Sequence, residues 1–262
     1  MDFSVTNIPD SYYIRHQMRI ALFIPCYINQ FYPNVGIATY ELLKKLGLDI
    51  NVPMDQTCCG QPIANSGFES TAADTYHHFV RQFKSYDYIV APSASCVYHV
   101  RKHYDIIPQT DEVKHIRKNT VDLTEFLTDV LKKEDLNAVF PHKVSIHQSC
   151  HGLRGLRMAQ SSERNLPAFS KWEDLLTKVK GIQLVKTSIA DECCGFGGTF
   201  AVHEEALSVK MGKDKLLDSL HTEAEYITSG DMSCLMHLDG IIRRNKYPIK
   251  VIHIAEILNT RV

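Results

Sequence analysis

Two adjacent cysteine pairs, each followed by a glycine, constrain this chain more than any other feature: Cys58-Cys59-Gly60 and Cys193-Cys194-Gly195. All eight cysteines obey one grammar, used twice: a single Cys, a long gap, the doublet, a long gap, a final Cys. Cys26, Cys58, Cys59 and Cys96 make the first set, with gaps of 31 and 36 residues; Cys150, Cys193, Cys194 and Cys234 make the second, with gaps of 42 and 39. No cysteine is left over. Such a pattern asks for a fold that gathers four distant sulfurs, and does so twice.

The residues around the cysteines predict how. Each single Cys or doublet follows an apolar run of strand length. Arg19–Ile24, continuous and rich in β-branched residues, reads as a buried parallel strand ending at Cys26. Leu48–Val52 leads to the first doublet and Tyr88–Ala91 to Cys96. Lys143–Ile146, Ile182–Val185 and Glu225–Thr228 lead in the same way to Cys150, the second doublet and Cys234. Helical spacing fills the intervals. A helix over 36–46 presents Ile37, Tyr40, Leu43 and Leu46 on one face and stops at Gly47. One over 69–84 presents Ala72, Tyr76, Phe79 and Phe83. Others are expected over 120–133, around 172–179 and over 204–220. The tail Val251–Leu258 echoes Val121–Leu127, so the duplication extends beyond the cysteines.

The expected fold is therefore α/β, with two pseudo-symmetric repeats, each a small parallel sheet flanked by helices. The division is a lead-in at 1–18, a first repeat at 19–138 and a second at 139–262, with the polar Lys132–Asp135 as the linker. Loops that follow parallel strands gather at the carboxyl edge of the sheet, where ligands bind. Four cysteines up to 70 residues apart can converge there. Glycines after each doublet allow tight turns and leave N–H groups to face sulfur.

Composition narrows the setting. With 262 residues, 44% hydrophobic and 23% charged, the chain can bury a proper core. Its formal net charge of −1 offers no basic field for nucleic acid or an anionic membrane. No run approaches the roughly 20 apolar residues of a membrane span, and the start lacks a signal-peptide core. A cytoplasmic protein is expected, where thiols stay reduced and a cysteine pattern points to metal or redox chemistry rather than disulfides.

Thiolates select zinc, copper(I) or iron–sulfur clusters. Structural zinc usually draws on Cys-x2-Cys pairs, which chelate one ion comfortably. Adjacent cysteines more naturally serve two neighbouring metals, which favours a multi-iron cluster. Zinc at one set, a vicinal disulfide and buried free thiols are the alternatives. His99 and His237 each stand three residues beyond the last Cys of a set, a spacing that suits a second ligand; packed or solvated histidines are the favoured reading. His147 and His151 flank Cys150 and are suited either to hydrogen-bond its sulfur or to ordinary loop roles. Arg154 and Arg157 suit a carboxylate or a partner surface, though an exposed Arg is usually just solvated. Gly195–Gly198 lacks the register of a phosphate loop, and nucleotide binding is discounted.

The motifs resemble a known family. Cys58-Cys59-Gly60-Gln61-Pro62, Pro92–Cys96, Ser149–Arg154, Asp191–Thr199, Ser229–His237 and His253–Leu258 are similar to the cysteine-rich "CCG" proteins. That group includes the cysteine-rich subunit of heterodisulfide reductase, the glycolate oxidase iron–sulfur subunit and, nearest in pattern, the lactate-utilisation protein A group. The likeness runs from Arg19 almost to the end. It implies an iron–sulfur electron-transfer subunit of a multi-subunit system oxidising L-lactate to pyruvate, not active alone. A ferredoxin-like iron–sulfur subunit and a third lactate-utilisation protein are the implied partners. One or two [4Fe–4S] clusters on the two cysteine sets are the implied cofactors. The alternatives are a zinc-stabilised scaffold and a thiol or heterodisulfide reductase. One departure stands out. The fullest family pattern ends each set in Cys-x-x-Cys, and here its first position is Ser93 or Asp231. Both remain candidate further ligands or supporting residues, and disulfide cleavage of the heterodisulfide reductase kind is put in doubt.

Overall fold

In the computed structural model, residues 18–133 and 135–260 are described. The expected lead-in, apart from Met18, and Glu134 of the expected linker lie outside them. Eight short strands among the described residues form two four-stranded sheets. The first contains β1 (Ile20–Leu22), β2 (Ile50–Asn51), β3 (Tyr88–Ala91) and β4 (Thr120–Asp122), in the order β2-β1-β3-β4. The second contains β5 (Lys143–Ile146), β6 (Gln183–Val185), β7 (Tyr226–Ser229) and β8 (Lys250–His253), in the matching order β6-β5-β7-β8. Every pairing is parallel.

β1 and β3, the central strands of the first sheet, are apolar throughout because both of its faces are covered. Ile20 and Leu22 of β1 face a core shared by both repeats, whereas Ala21 and the following Phe23 enter a second core with Phe79 and Phe83. The two sheets reverse direction of growth between β1 and β3 and between β5 and β7. Crossovers leaving these central strands go to opposite faces and open a crevice at the carboxyl edge.

Several elements differ from expectation, each for an identifiable reason. The stretch 120–133 opens as a strand, because β-branched Thr120 and Val121 pair in register with Ile89 and Val90. A helix begins only at Leu123, where Asp122 caps it and Glu125 reaches back to close the capping box. The tail repeats this arrangement: β8 is followed by the helix Ile254–Asn259, capped by His253 and Glu256. The basic stretch after Cys96, unassigned from periodicity, forms the helices Ala94–His103 and Asp111–Asn119. The helix expected over 36–46 starts at Pro33 and runs to Lys45. It buries Val35, Ala38, Thr39 and Leu42 together with the expected Leu43, and leaves Ile37 and Tyr40 exposed. Small residues decide this face. At Gly36 a Cβ would already sit 3.3 Å from Ile24. The expected face over 69–84 is observed: Ala72, Tyr76, Phe79 and Phe83 are all buried along Ala73–Phe83 and the short turn before it.

The repeats clasp each other. The last helix of the second repeat, Ile254–Asn259, packs on Pro33–Lys45 of the first, where Lys45 donates to the Asn259 carbonyl at 2.6 Å. In the mirror arrangement, Leu123–Glu125 packs on Lys171–Leu176 of the second repeat, and Lys171 pairs with Asp129. Between them the chains cross at Ser93 and Asp231, which form an isolated antiparallel bridge. Asp231 is buried and accepts from Ser95 N at 2.9 Å, Ser95 Oγ at 3.0 Å, Ser233 Oγ at 3.0 Å and Ser93 Oγ at 3.4 Å.

Two buried aspartates should therefore respond oppositely to loss of charge. Asp231→Ala strands the Ser95 N–H and should lower stability by about 3 kcal/mol in denaturant unfolding. Asp122 has one carboxylate oxygen without a partner. Burial, and next the Glu125 carboxylate, push its pKa from 3.8 up to about 8. Its ionisation therefore opposes folding above the unfolded pKa. Asp122→Asn, which keeps the cap, should gain stability as pH rises from about 4 to about 8 and then level off, by about 2–4 kcal/mol at pH 7. An Asn variant less stable than the parent at pH 8 would refute this.

Candidate metal centres

The crossover geometry puts each cysteine set where it can act as one. Cys26 opens the helix Cys26–Phe31 directly beyond β1, and Cys96 lies in the first turn of Ala94–His103 beyond β3. Together they flank the crevice. The doublet arrives from the loop after β2, turned by Gly60 in left-handed conformation (φ 92°). A Cβ there would strike the Tyr76 ring at 2.5 Å, so only glycine fits. In the second repeat Cys150 follows β5, the doublet follows β6, and Cys234 lies in the first turn of Met232–Asn245. Gly195 (φ 85°) has the same constraint, since a Cβ would meet the Ser208 carbonyl at 2.5 Å.

The sulfurs of each set touch in series. Cys26 and Cys58 Sγ are 3.8 Å apart. Hydrogen bonds from Cys26 and Cys59 hold the Cys58 thiol down at about 3, helped by Gly60 N–H at 3.3 Å. The same contacts push Cys26 and Cys59 up, and burial adds to it. In the second set Cys193 is held down at about 2 by hydrogen bonds from Cys150 and Cys194, with Gly195 N–H at 3.4 Å from its sulfur. Cys150 and Cys194 are pushed up, the latter by its bonds to Cys193 and Cys234 and by burial. In each set one sulfur therefore favours the thiolate, and the thiols bonded to it, Cys26 and Cys59 or Cys150 and Cys194, are held back from ionising. A multivalent cation would supply the charge that draws further thiolates to the site. All eight cysteines are free thiols, and the donor chemistry fits zinc or an iron–sulfur cluster.

Seven of the eight sulfur residues, all but Cys58, line a single cleft of about 300 Å³. Ser93, Asp231, His151, Phe196 and Gly197 also face it. Ser93 Oγ is 3.4 Å from both Cys96 N and Asp231, and the oxygens of Asp231 receive the donors of both repeats, so these two residues join the repeats at the cleft floor. His99 is buried with Nε2 3.0 Å from Tyr76 Oη and its ring stacked on His103; burial, then His103, lowers its pKa to about 3. His237 Nε2 donates to the Ser208 carbonyl at 3.3 Å, and burial lowers its pKa. His151 packs at 5.1 Å against Tyr98.

His147 differs from the other histidines. It is buried, neither ring nitrogen has a partner, and one nitrogen lies within 4.8 Å of the Cys194 and Cys234 sulfurs. Burial, and then Lys215, lower its pKa to about 3, so it is a neutral imidazole at physiological pH. Arg154 is engaged by Glu163 at 2.7 Å and Asp191 at 3.4 Å, and Arg157 is exposed.

Sequence reasoning missed Lys215. Fully buried behind the second set, it donates to the Ile189 carbonyl at 3.0 Å. Its place was discoverable: Ser208, Gly212, Lys215, Leu216 and Ser219 recur at helical spacing along Glu205–His221 and are the buried stripe.

Comparison with known proteins follows the same duplication. The cysteine-rich domain family, CCG, matches residues 20–101 and again 144–239. Lactate utilization protein A of a Geobacillus species is 40% identical over 249 residues, covering 93% of this chain and 100% of that protein. The protein of the same name from Geobacillus thermodenitrificans is 41% identical over 248 residues, with 93% and 100% covered. Among solved structures, a glutamate racemase from Bacillus anthracis covers 93% of this chain and 79% of its own at 12% identity and a TM-score of 0.35, too slight a likeness to support an inference. Two matched cysteine-rich repeats and end-to-end relatives converge on one assignment: the chain belongs to the lactate utilization protein A family of CCG-domain proteins.

Proposed function

We propose that this protein serves lactate utilization as an iron–sulfur electron-transfer subunit, in a cytoplasmic system that oxidises L-lactate to pyruvate. The relatives' name supports the process. One observation supports the chemistry: each set of four cysteines comes from three separate loops, and its sulfurs touch in series at a sheet edge. Cys26, Cys58, Cys59 and Cys96 would hold one cluster, and Cys150, Cys193, Cys194 and Cys234 the other, each most simply [4Fe–4S]. Such a cluster supplies reversible one-electron transfer.

The chain's own groups prepare for this. Gly60 and Gly195 direct N–H groups at the Cys58 and Cys193 sulfurs, which stabilises negative charge there. Cys59, Cys96 and Cys194 are buried, which shields the inner side of each centre from water. The partly exposed Cys26, Cys150, Cys193 and Cys234 stand toward the cleft that both sets share, so electrons can pass between the sets within one chain. A ferredoxin-like iron–sulfur subunit and a third lactate-utilisation protein would deliver and accept them. Among the described residues no helix is long and apolar enough to cross a membrane.

The shared cleft favours a second reading, a reductase acting on a small thiol or disulfide, with Ser93 and Asp231 at its floor. Turnover of disulfides without lactate in the assembled system would select it.

Anaerobically purified protein should be brown and contain iron and acid-labile sulfide at both sets. Cys193→Ser and Cys194→Ser should each remove about half of the iron and leave the first set loaded. Colourless protein with stoichiometric zinc and no sulfide would refute the iron–sulfur reading in favour of a zinc-stabilised scaffold.

A further inference from the structure

The two cysteine sets match, but their surroundings do not. Phe23 and His147 occupy the same place, each three residues before the first cysteine of its set. Their backbones confirm the equivalence: Phe23 N donates to the Val90 carbonyl of β3 at 2.9 Å, and His147 N to the Thr228 carbonyl of β7 at 2.7 Å. In the first repeat the side chain at this place is a hydrocarbon, edge-on to Phe79 with centroids 5.0 Å apart. In the second it is an imidazole, only 1% exposed, with no partner for either nitrogen. An unpartnered buried polar group is costly, and native structures keep few of them. One of its nitrogens lies within 4.8 Å of the sulfurs of Cys194 and Cys234.

Resting on the reading of the second cysteine set as a metal centre, we propose that His147 is itself a ligand there. The second centre would then be held by an imidazole nitrogen in place of one of the four thiolates assigned above, one donor for each iron, and the first by four thiolates alone. The imidazole is a good donor for iron and zinc alike. Of the other histidines near the sets, His99 bonds to Tyr76 and His237 to Ser208, while His151 lines the cleft with its ring against Tyr98. The position 21 residues beyond each doublet also differs, Val80 in the first repeat and the buried Lys215 in the second. A buried amine at this place in the second repeat, against a hydrocarbon in the first, adds to the inequivalence.

Pulsed paramagnetic resonance on the full-length, reduced, iron-loaded protein, with histidine labelled by nitrogen-15, tests this directly. The expected result is coupling to a directly bound imidazole nitrogen on one of two cluster signals. That coupling should vanish in His147→Ala, and added imidazole should restore it. His147→Phe copies the first repeat and should make the second signal nitrogen-free without loss of the first. Iron-loaded protein with no such coupling, or coupling unchanged in His147→Ala, overturns the proposal while leaving the iron–sulfur reading intact. If instead the protein carries zinc and no sulfide, the iron–sulfur reading fails on its own. X-ray absorption at the zinc then decides the role of His147, by whether the alanine variant loses one nitrogen neighbour.

Discussion

Parallel strands can be joined only by crossovers, so every loop that follows a strand leaves the sheet at the same edge. That constraint underlies the whole molecule. It brings Cys26, the 58–59 doublet and Cys96 to one edge although they are scattered over the first repeat, and it repeats the arrangement in the second. The strand order adds the depth. Because growth reverses between β1 and β3, the loops carrying Cys26 and Cys96 part to opposite faces and leave a crevice, into which the doublet turns from β2. A sulfur cage is then a consequence of topology, with Gly60 and Gly195 supplying the backbone freedom that the last turn requires.

The second level of organisation is reciprocal packing. Each repeat lends its last helix to the other, and the shared core runs through both sheets. The sets are thereby turned toward a common cleft, and the crossing of Ser93 and Asp231 lies at its floor. These are the positions where the fullest family pattern has another cysteine. Here the Asp231 carboxylate accepts hydrogen bonds from both halves. In this chain the two positions fasten the repeats together.

Duplication preserved the sulfurs and let their backing diverge. Aromatic Phe23, Tyr76, Phe79 and Tyr104 line the first set, and Tyr104 Oη donates to the Cys59 carbonyl at 3.1 Å. Polar His147 and Lys215 lie behind the second. The capping residues of the last helices diverged too, Asp122 in one repeat and His253 in the other. The arrangement of the sulfurs tolerates such changes because it depends on the loops. The electrostatics of each centre does not, because a buried charge or imidazole acts over the short distance to sulfur with little screening.

By itself the sequence determined the duplication, the strand-before-cysteine order and hence the parallel α/β class, since period and spacing are local properties of the chain. It also carried the family through the motifs around Cys58, Cys150, Cys193 and Cys234. The strands β4 and β8 were not legible, because three or four residues between helical patterns carry too little periodicity; they become strands by pairing with β3 and β7. Nor was the buried face of Pro33–Lys45 legible, where close approach at Gly36 outweighed the larger apolar side chains. Tertiary structure alone decided that the two sets share a cleft, that Asp231 faces Ser93, and that His147 lies beside Cys194 and Cys234. Those are contacts between residues far apart along the chain, and only the packing of the two sheets sets their distances.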